Sequence, residues 1–79
     1  MHQQLSHTPD PGEARARVSV TDQLRAALRE QGRAWYRCHL DGALTWVVDG
    51  EQLAPYQAAE AFLPGGWTAA WRRSQGLAP

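Results

Sequence analysis

The sequence predicts a small α+β domain, and three observations carry that expectation. Asp41-Gly42 splits two runs of aromatic and β-branched residues, two other segments place apolar residues at helical spacing, and the whole chain has only 79 residues. A chain of that length buries roughly 60% of its unfolded surface and cannot divide the resulting core, so residues 14–73 are read as a single α+β domain. Residues 1–13 hold two Pro, one Gly and little apolar content, which reads as a flexible N-terminal tail; residues 74–79 read as a frayed C-terminus.

The elements follow in order. Ala14, Ala16, Val18 and Val20 alternate with Arg15, Arg17 and Ser19, the period of a half-buried first strand. Thr21 then suits an N-cap and Asp22 the first helical turn, where a negative charge favours the helix dipole. Leu24, Ala27, Leu28 and Gln31 fall on one face of the helix that follows, and Gly32 is placed to end it in the left-handed C′ position. Residues 34–40 and 43–48 form a hairpin, because a two-residue Asp-Gly loop favours a type I′ turn whose twist matches that of the strands. Asp49-Gly50 marks a second turn, and Pro55 opens a short helix with Tyr56, Ala59, Phe62 and Leu63 at helical spacing. Pro64-Gly65-Gly66 ends it, and Trp67, Ala69 and Trp71 alternate with polar or small residues as a last strand over 67–72.

This order, β-α-β-β-α-β, is that of the ferredoxin-like fold: an antiparallel sheet with two helices on one face. Without the first strand it becomes α-β-β-α-β. The turn sets the hairpin register, pairing Leu40 with Ala43 and, at the far end, Trp35 with Val48. One sheet face then carries Tyr36, Cys38, Leu40, Ala43, Thr45 and Val47; the other carries Trp35, Arg37, His39, Leu44, Trp46 and Val48.

Composition narrows the function classes. Formal net charge is zero, but it is a sum of unlike blocks. Residues 15–37 carry six Arg against Asp22 and Glu30, whereas 38–66 carry Asp41, Asp49, Glu51 and Glu60 and no basic residue. All eight basic residues are Arg, which an Ala-, Arg- and Gly-rich composition explains without a functional cause. A lone Cys38 offers no internal disulfide and fits a reducing, cytoplasmic setting. No apolar run of membrane-spanning length and no signal-peptide pattern are present, so neither membrane insertion nor secretion is expected. His2, His7, Cys38 and His39 lack metal-ligand spacing, and adjacent strand residues Cys38 and His39 point to opposite faces, which excludes a shared ion and a nucleophile–base pair alike. Asp49 and Glu51 sit at a turn with no pocket implied. No nucleotide-binding glycine motif appears, so neither cofactor nor catalysis is expected.

Two binding classes remain. The first is a non-enzymatic inhibitor or adaptor that docks on a protein partner, or on a second copy of itself, through a sheet face or edge bearing Trp35, Arg37, His39 and Trp46. Trp and Arg are the residue types enriched at interface hot spots. The competing reading of those four places Trp35, Leu44, Trp46 and Val48 in the core with Arg37 at its margin. The second class is a nucleic-acid-binding regulator that uses Arg25, Arg29, Arg33, Arg37, Arg72 and Arg73. The chain lacks the first-strand aromatics and the glycine–aromatic motif of sheet-type RNA readers.

Residues 53–79 bear on this second class. Leu53, Pro55, Ala58, Ala59 and Glu60 match the Leu-Thr-Pro-x-x-Ala-Ala-Glu stretch that opens the first helix in excisionase and MerR-type DNA binders, and this third of the chain resembles their helix-turn-helix. Pro64-Gly65-Gly66 stands where that family has Gly-Val-Ser, and the family's wing has no counterpart. The resemblance implies that Thr68, Arg72 and Arg73 lie on a recognition helix that enters a major groove.

Overall fold

Ser19, not Thr21, starts the first helix. Its hydroxyl accepts the Asp22 N–H at 3.1 Å, a Ser-x-x-Asp cap that draws Val20 and Thr21 into the helix behind it. The computed structural model describes residues 17–78, in the order α1 (Val20–Glu30), β1 (Trp35–Leu40), β2 (Ala43–Val48), β3 (Glu51–Leu53), α2 (Pro55–Phe62) and α3 (Gly66–Ser74). The result is a three-stranded antiparallel sheet, ordered β1-β2-β3, with three helices.

The α+β class and the hairpin agree with the sequence; the ferredoxin-like order does not appear in the described residues. Of the expected first strand, residues 14–16 lie outside the described residues, 17–19 form no strand, and Val20 belongs to α1. The Ser19 cap outweighs the period-two pattern there, since Val20 gains a place packed against the core. The tail expected over 1–13 also lies outside the described residues.

At the other end, 67–72 is helical instead of a strand. Trp67 and Trp71 stand four apart, a spacing that serves a helix as well as a strand, and Ala69, Ala70, Arg72 and Arg73 between the glycines and Ser74 are good helix formers. The deciding contact comes from outside the segment: Glu60 on α2 accepts the Trp67 N–H at 2.7 Å and so caps α3. A third strand went unpredicted, because Glu51-Gln52-Leu53 is short and has no β-branched residue; it forms because the Asp49-Gly50 turn folds it back onto β2.

Both sheet turns are two-residue loops with positive φ at both positions, 52° and 80° at Asp41 and Gly42, 51° and 87° at Asp49 and Gly50. The β1–β2 register is the one the turn dictates, from Leu40 opposite Ala43 to Trp35 opposite Val48. Asp49 adds a second tie: its carboxylate accepts the Ala34 N–H at 3.1 Å and an Arg33 N–H at 2.8 Å, which holds the α1–β1 link against the β2–β3 turn.

Helix α2 packs on β2 and β3, α1 and α3 pack against α2 and each other, and all of them share one core with the sheet. Leu24 and Leu28 of α1, Trp46 and Val48 of β2, Ala58 and Ala59 of α2, Leu63 just after α2 and Ala70 of α3 form one buried cluster, with Trp35, Leu53, Phe62 and Trp67 packed around it. Small alanines at the α2 and α3 positions let those helices approach closely, and Trp46 fills the space in the middle. Within α2 the buried face is Ala58 and Ala59, continued by Leu63 at the C-cap; Tyr56, expected on it, is exposed.

Candidate functional site

Trp46 is 0% exposed, which decides which face of the hairpin is the core. The face with Trp35, Arg37, His39, Leu44, Trp46 and Val48 points toward the helices. Trp35 packs on Trp46 with ring centroids 5.3 Å apart, and the Arg37 guanidinium lies 5.4 Å from the Trp46 centroid. Of the four residues expected to anchor a partner, only Arg37 and His39 are exposed. Arg37 closes the edge of the core over an aromatic ring, the snorkelling arrangement of a long cation on an apolar surface.

The basic residues divide in the same way. Arg33 donates to Asp49 and to Gln31 Oε1 and rests 4.8 Å from the Phe62 centroid, so it ties α1, the second sheet turn and α2 together. Arg73 donates to Gln23 Oε1 at 2.9 Å and to the Pro64 carbonyl at 3.1 Å; Gln23 in turn donates to the Ala70 and Val18 carbonyls, which locks α1 against α3. These two arginines are structural ties. Arg25 and Arg29 remain on the exposed side of α1, Arg25 at 3.7 Å from Asp22 and Arg29 in no ion pair among the described residues. Arg72 is exposed, with only its Nε committed, to the Ala78 carbonyl.

Residues 55–74 fold as helix, turn, helix. Pro55 occupies the first turn of α2, where its missing N–H costs nothing, and Gln57 reaches back to accept the Ala54 N–H at 2.9 Å. Residues 63–65 make the turn, and Gly65 and Gly66 enter α3 at φ of 76° and 73°. A methyl at Gly65 would stand 2.5 Å from the Ala69 Cβ, so both its backbone angle and the close approach require glycine.

Along α3, Ala70 is buried and Trp67, Arg73 and Ser74 are half-buried, while Thr68, Trp71 and Arg72, and Gln75 at the C-cap, are exposed. Those four recur at i, i+3, i+4 and i+7, one continuous stripe on the side away from the core. Trp71 is 46% exposed, a large aromatic that the core does not use.

Comparison with known proteins adds nothing here. No family model, curated protein or solved structure matches the chain. The stripe therefore stands on its chemistry: one hydroxyl, one indole, one guanidinium and one carboxamide on a rigid helix.

Elsewhere, an open groove lies between α1 and the α2–α3 turn, lined by Val18, Ala26, Ala27, Leu63 and Pro64 with Asp22, Glu30 and Arg73 at its margin. It holds no nucleophile beside a base. Among the described residues no three His, Cys, Asp or Glu side chains gather as metal ligands, and no helix is long and apolar enough to cross a membrane.

The alternation of residues 67–72 hid the stripe from a strand-based reading. The signal that could have found it was Glu60, seven residues before the Trp67 amide it caps.

Proposed function

We propose that the protein is a non-enzymatic regulator that binds duplex DNA, with α2 against the backbone and α3 in the major groove. One observation carries the reading: the second helix of a helix–turn–helix pair presents Thr68, Trp71, Arg72 and Gln75 as an uninterrupted exposed stripe. The arrangement matches how such pairs dock, and the residue types match base-edge chemistry. The free guanidinium nitrogens of Arg72 fit guanine O6 and N7, the Gln75 carboxamide fits adenine N6 and N7, and the Thr68 methyl and the Trp71 ring fit a thymine methyl. Arg73, which the family resemblance would add, is held by Gln23 and Pro64 and contributes by fixing the angle of α3. Glu60 already occupies the N-terminal amide of α3, so specificity rests on side chains and not on phosphate capture at the helix end. Arg25 and Arg29 supply phosphate contacts, and a reducing cytoplasmic setting fits the single free cysteine.

The test is fluorescence anisotropy with mixed-sequence duplex over a salt series. Binding that weakens steeply with salt is expected, and Arg72→Ala should lower affinity for a preferred site by about 1–3 kcal/mol. Absence of binding at low salt, or binding indifferent to Thr68→Ala and Arg72→Ala, would contradict the reading.

A second reading, docking on a protein, is favoured by the open sheet face. Tyr36 and Leu40 are exposed there at 59% and 40%, and no charged residue lies among Tyr36, Cys38, Leu40, Ala43, Thr45, Val47 and Gln52.

A further inference from the structure

We infer that β1 pairs antiparallel with β1 of a second copy, about a two-fold axis at Cys38, which joins the two sheets into one of six strands. This does not depend on DNA binding.

Strand β1 is the outer strand on its side of the sheet and is six residues long, with no partner on its outer edge among the described residues. The two-residue turn fixes which of its backbone groups are free. Leu40 and Ala43 flank the loop and exchange both hydrogen bonds, and so do the alternate pairs Cys38–Thr45 and Tyr36–Val47. The N–H and C=O groups of Trp35, Arg37 and His39 therefore point outward, a template for another strand. The other edge offers less: β3 has three residues and runs into Pro55. Among the described residues, no proline, bulge or helix blocks the approach to β1.

Only registers that set outward residues against outward residues complete the ladder, and four with two-fold symmetry span three or more residues of the strand. Centred on Tyr36 or on His39, the ladder covers three residues alone, 35–37 or 38–40. Centred on Arg37, it covers 35–39 but sets two guanidiniums directly opposite each other, which repels. Centred on Cys38, it covers 36–40 and sets Arg37 against His39, Tyr36 against Leu40 and Cys38 against itself. This register alone combines full length with no opposed like residues at Arg37, and it covers both exposed apolar side chains of the strand, Tyr36 and Leu40. The uncharged open face favours a partner that is equally uncharged there, as a second copy is.

The axis makes a geometric prediction. Cys38 faces its copy across a non-hydrogen-bonded pair, where Cα atoms lie about 4.5 Å apart, inside the range a disulfide spans. The experiment is sedimentation equilibrium of the full chain with thiols reduced, together with cross-linking by diamide, to which two thiols would lose two electrons and two protons as the S–S bond forms. Expected are a mass of twice 8.8 kDa at high concentration, a covalent dimer that Cys38→Ser abolishes while the reduced mass persists, and self-association at least ~10-fold weaker in Tyr36→Asp. In a Cys38→Ser background, Arg37→Cys should cross-link poorly, because residue 37 then faces 39. A single-chain mass at every concentration overturns the proposal, as does efficient cross-linking of Arg37→Cys. Circular dichroism of Tyr36→Asp separates loss of pairing from loss of fold. DNA binding by a monomer would leave the earlier reading intact and sink this one.

Discussion

At Gly65 two constraints meet on one atom position. Its φ of 76° is disfavoured for a side-chain-bearing residue, and a Cβ there would press on Ala69, whose own Cβ is anchored to the helix backbone and cannot swing away. Gly66 shares the backbone angle, but the atoms nearest its hypothetical Cβ are those of the Glu60 carboxylate, which can move at the expense of the α3 cap. At Gly32, φ is 69° and nothing lies within 4 Å. These differences order three substitutions. Gly32→Ala should cost about 1 kcal/mol for the backbone alone, and Gly65→Ala about 2–4 kcal/mol for backbone and overpacking together, with Gly66→Ala between them. Urea unfolding of the three variants checks the order; equal losses would mean that the α2–α3 turn is not as tight as described.

Among the elements, α3 depends most on contacts from outside itself. It has no side-chain cap of its own, and Glu60 supplies one from α2. Glu60→Ala should cost about 1 kcal/mol and loosen α3 before α1, whose cap at Ser19 is intrinsic. Hydrogen exchange at the amides of residues 67–70 reports this, and unchanged protection there would refute the capping role. The same distinction explains what could be read from the sequence. The β1–β2 hairpin was legible to the residue because Asp41-Gly42 is a local signal that fixes a register. The end of α1 was legible through Gly32 for the same reason. The beginning of α1 was misplaced by two residues because Ser19 and Thr21 are both good caps and only Ser19 has an acidic residue three positions on. Strand β3 and helix α3 were missed because each depends on a neighbour: β3 on pairing with β2, α3 on a carboxylate from another helix. The candidate interface was legible only in part. Arg72 and Thr68 were named through the family resemblance, whereas Trp71 as an exposed residue requires the helix to be known.

For the molecule as a whole, one tryptophan joins sheet and helices. Trp46 is fully buried, contacts Trp35 and carries Arg37 over its ring. Trp46→Ala should cost about 3–5 kcal/mol, most of the stability of a domain this small, whereas Arg37→Ala should cost about 0.5–1 kcal/mol. Thermal unfolding followed by near-ultraviolet dichroism measures both; a mild effect of Trp46→Ala would place the core elsewhere. The burial of Trp46 also moves function off the inner sheet face and onto outward surfaces such as the α3 stripe and the open face of the hairpin. The central claim concerns the first. Its most direct test is selection of duplexes from a random pool by the immobilised full chain, repeated with Thr68→Ala and Arg72→Ala. A short shared motif is predicted for the unmodified chain, with specific base positions relaxed in each variant. An unenriched pool, or the same motif from all three proteins, would contradict it.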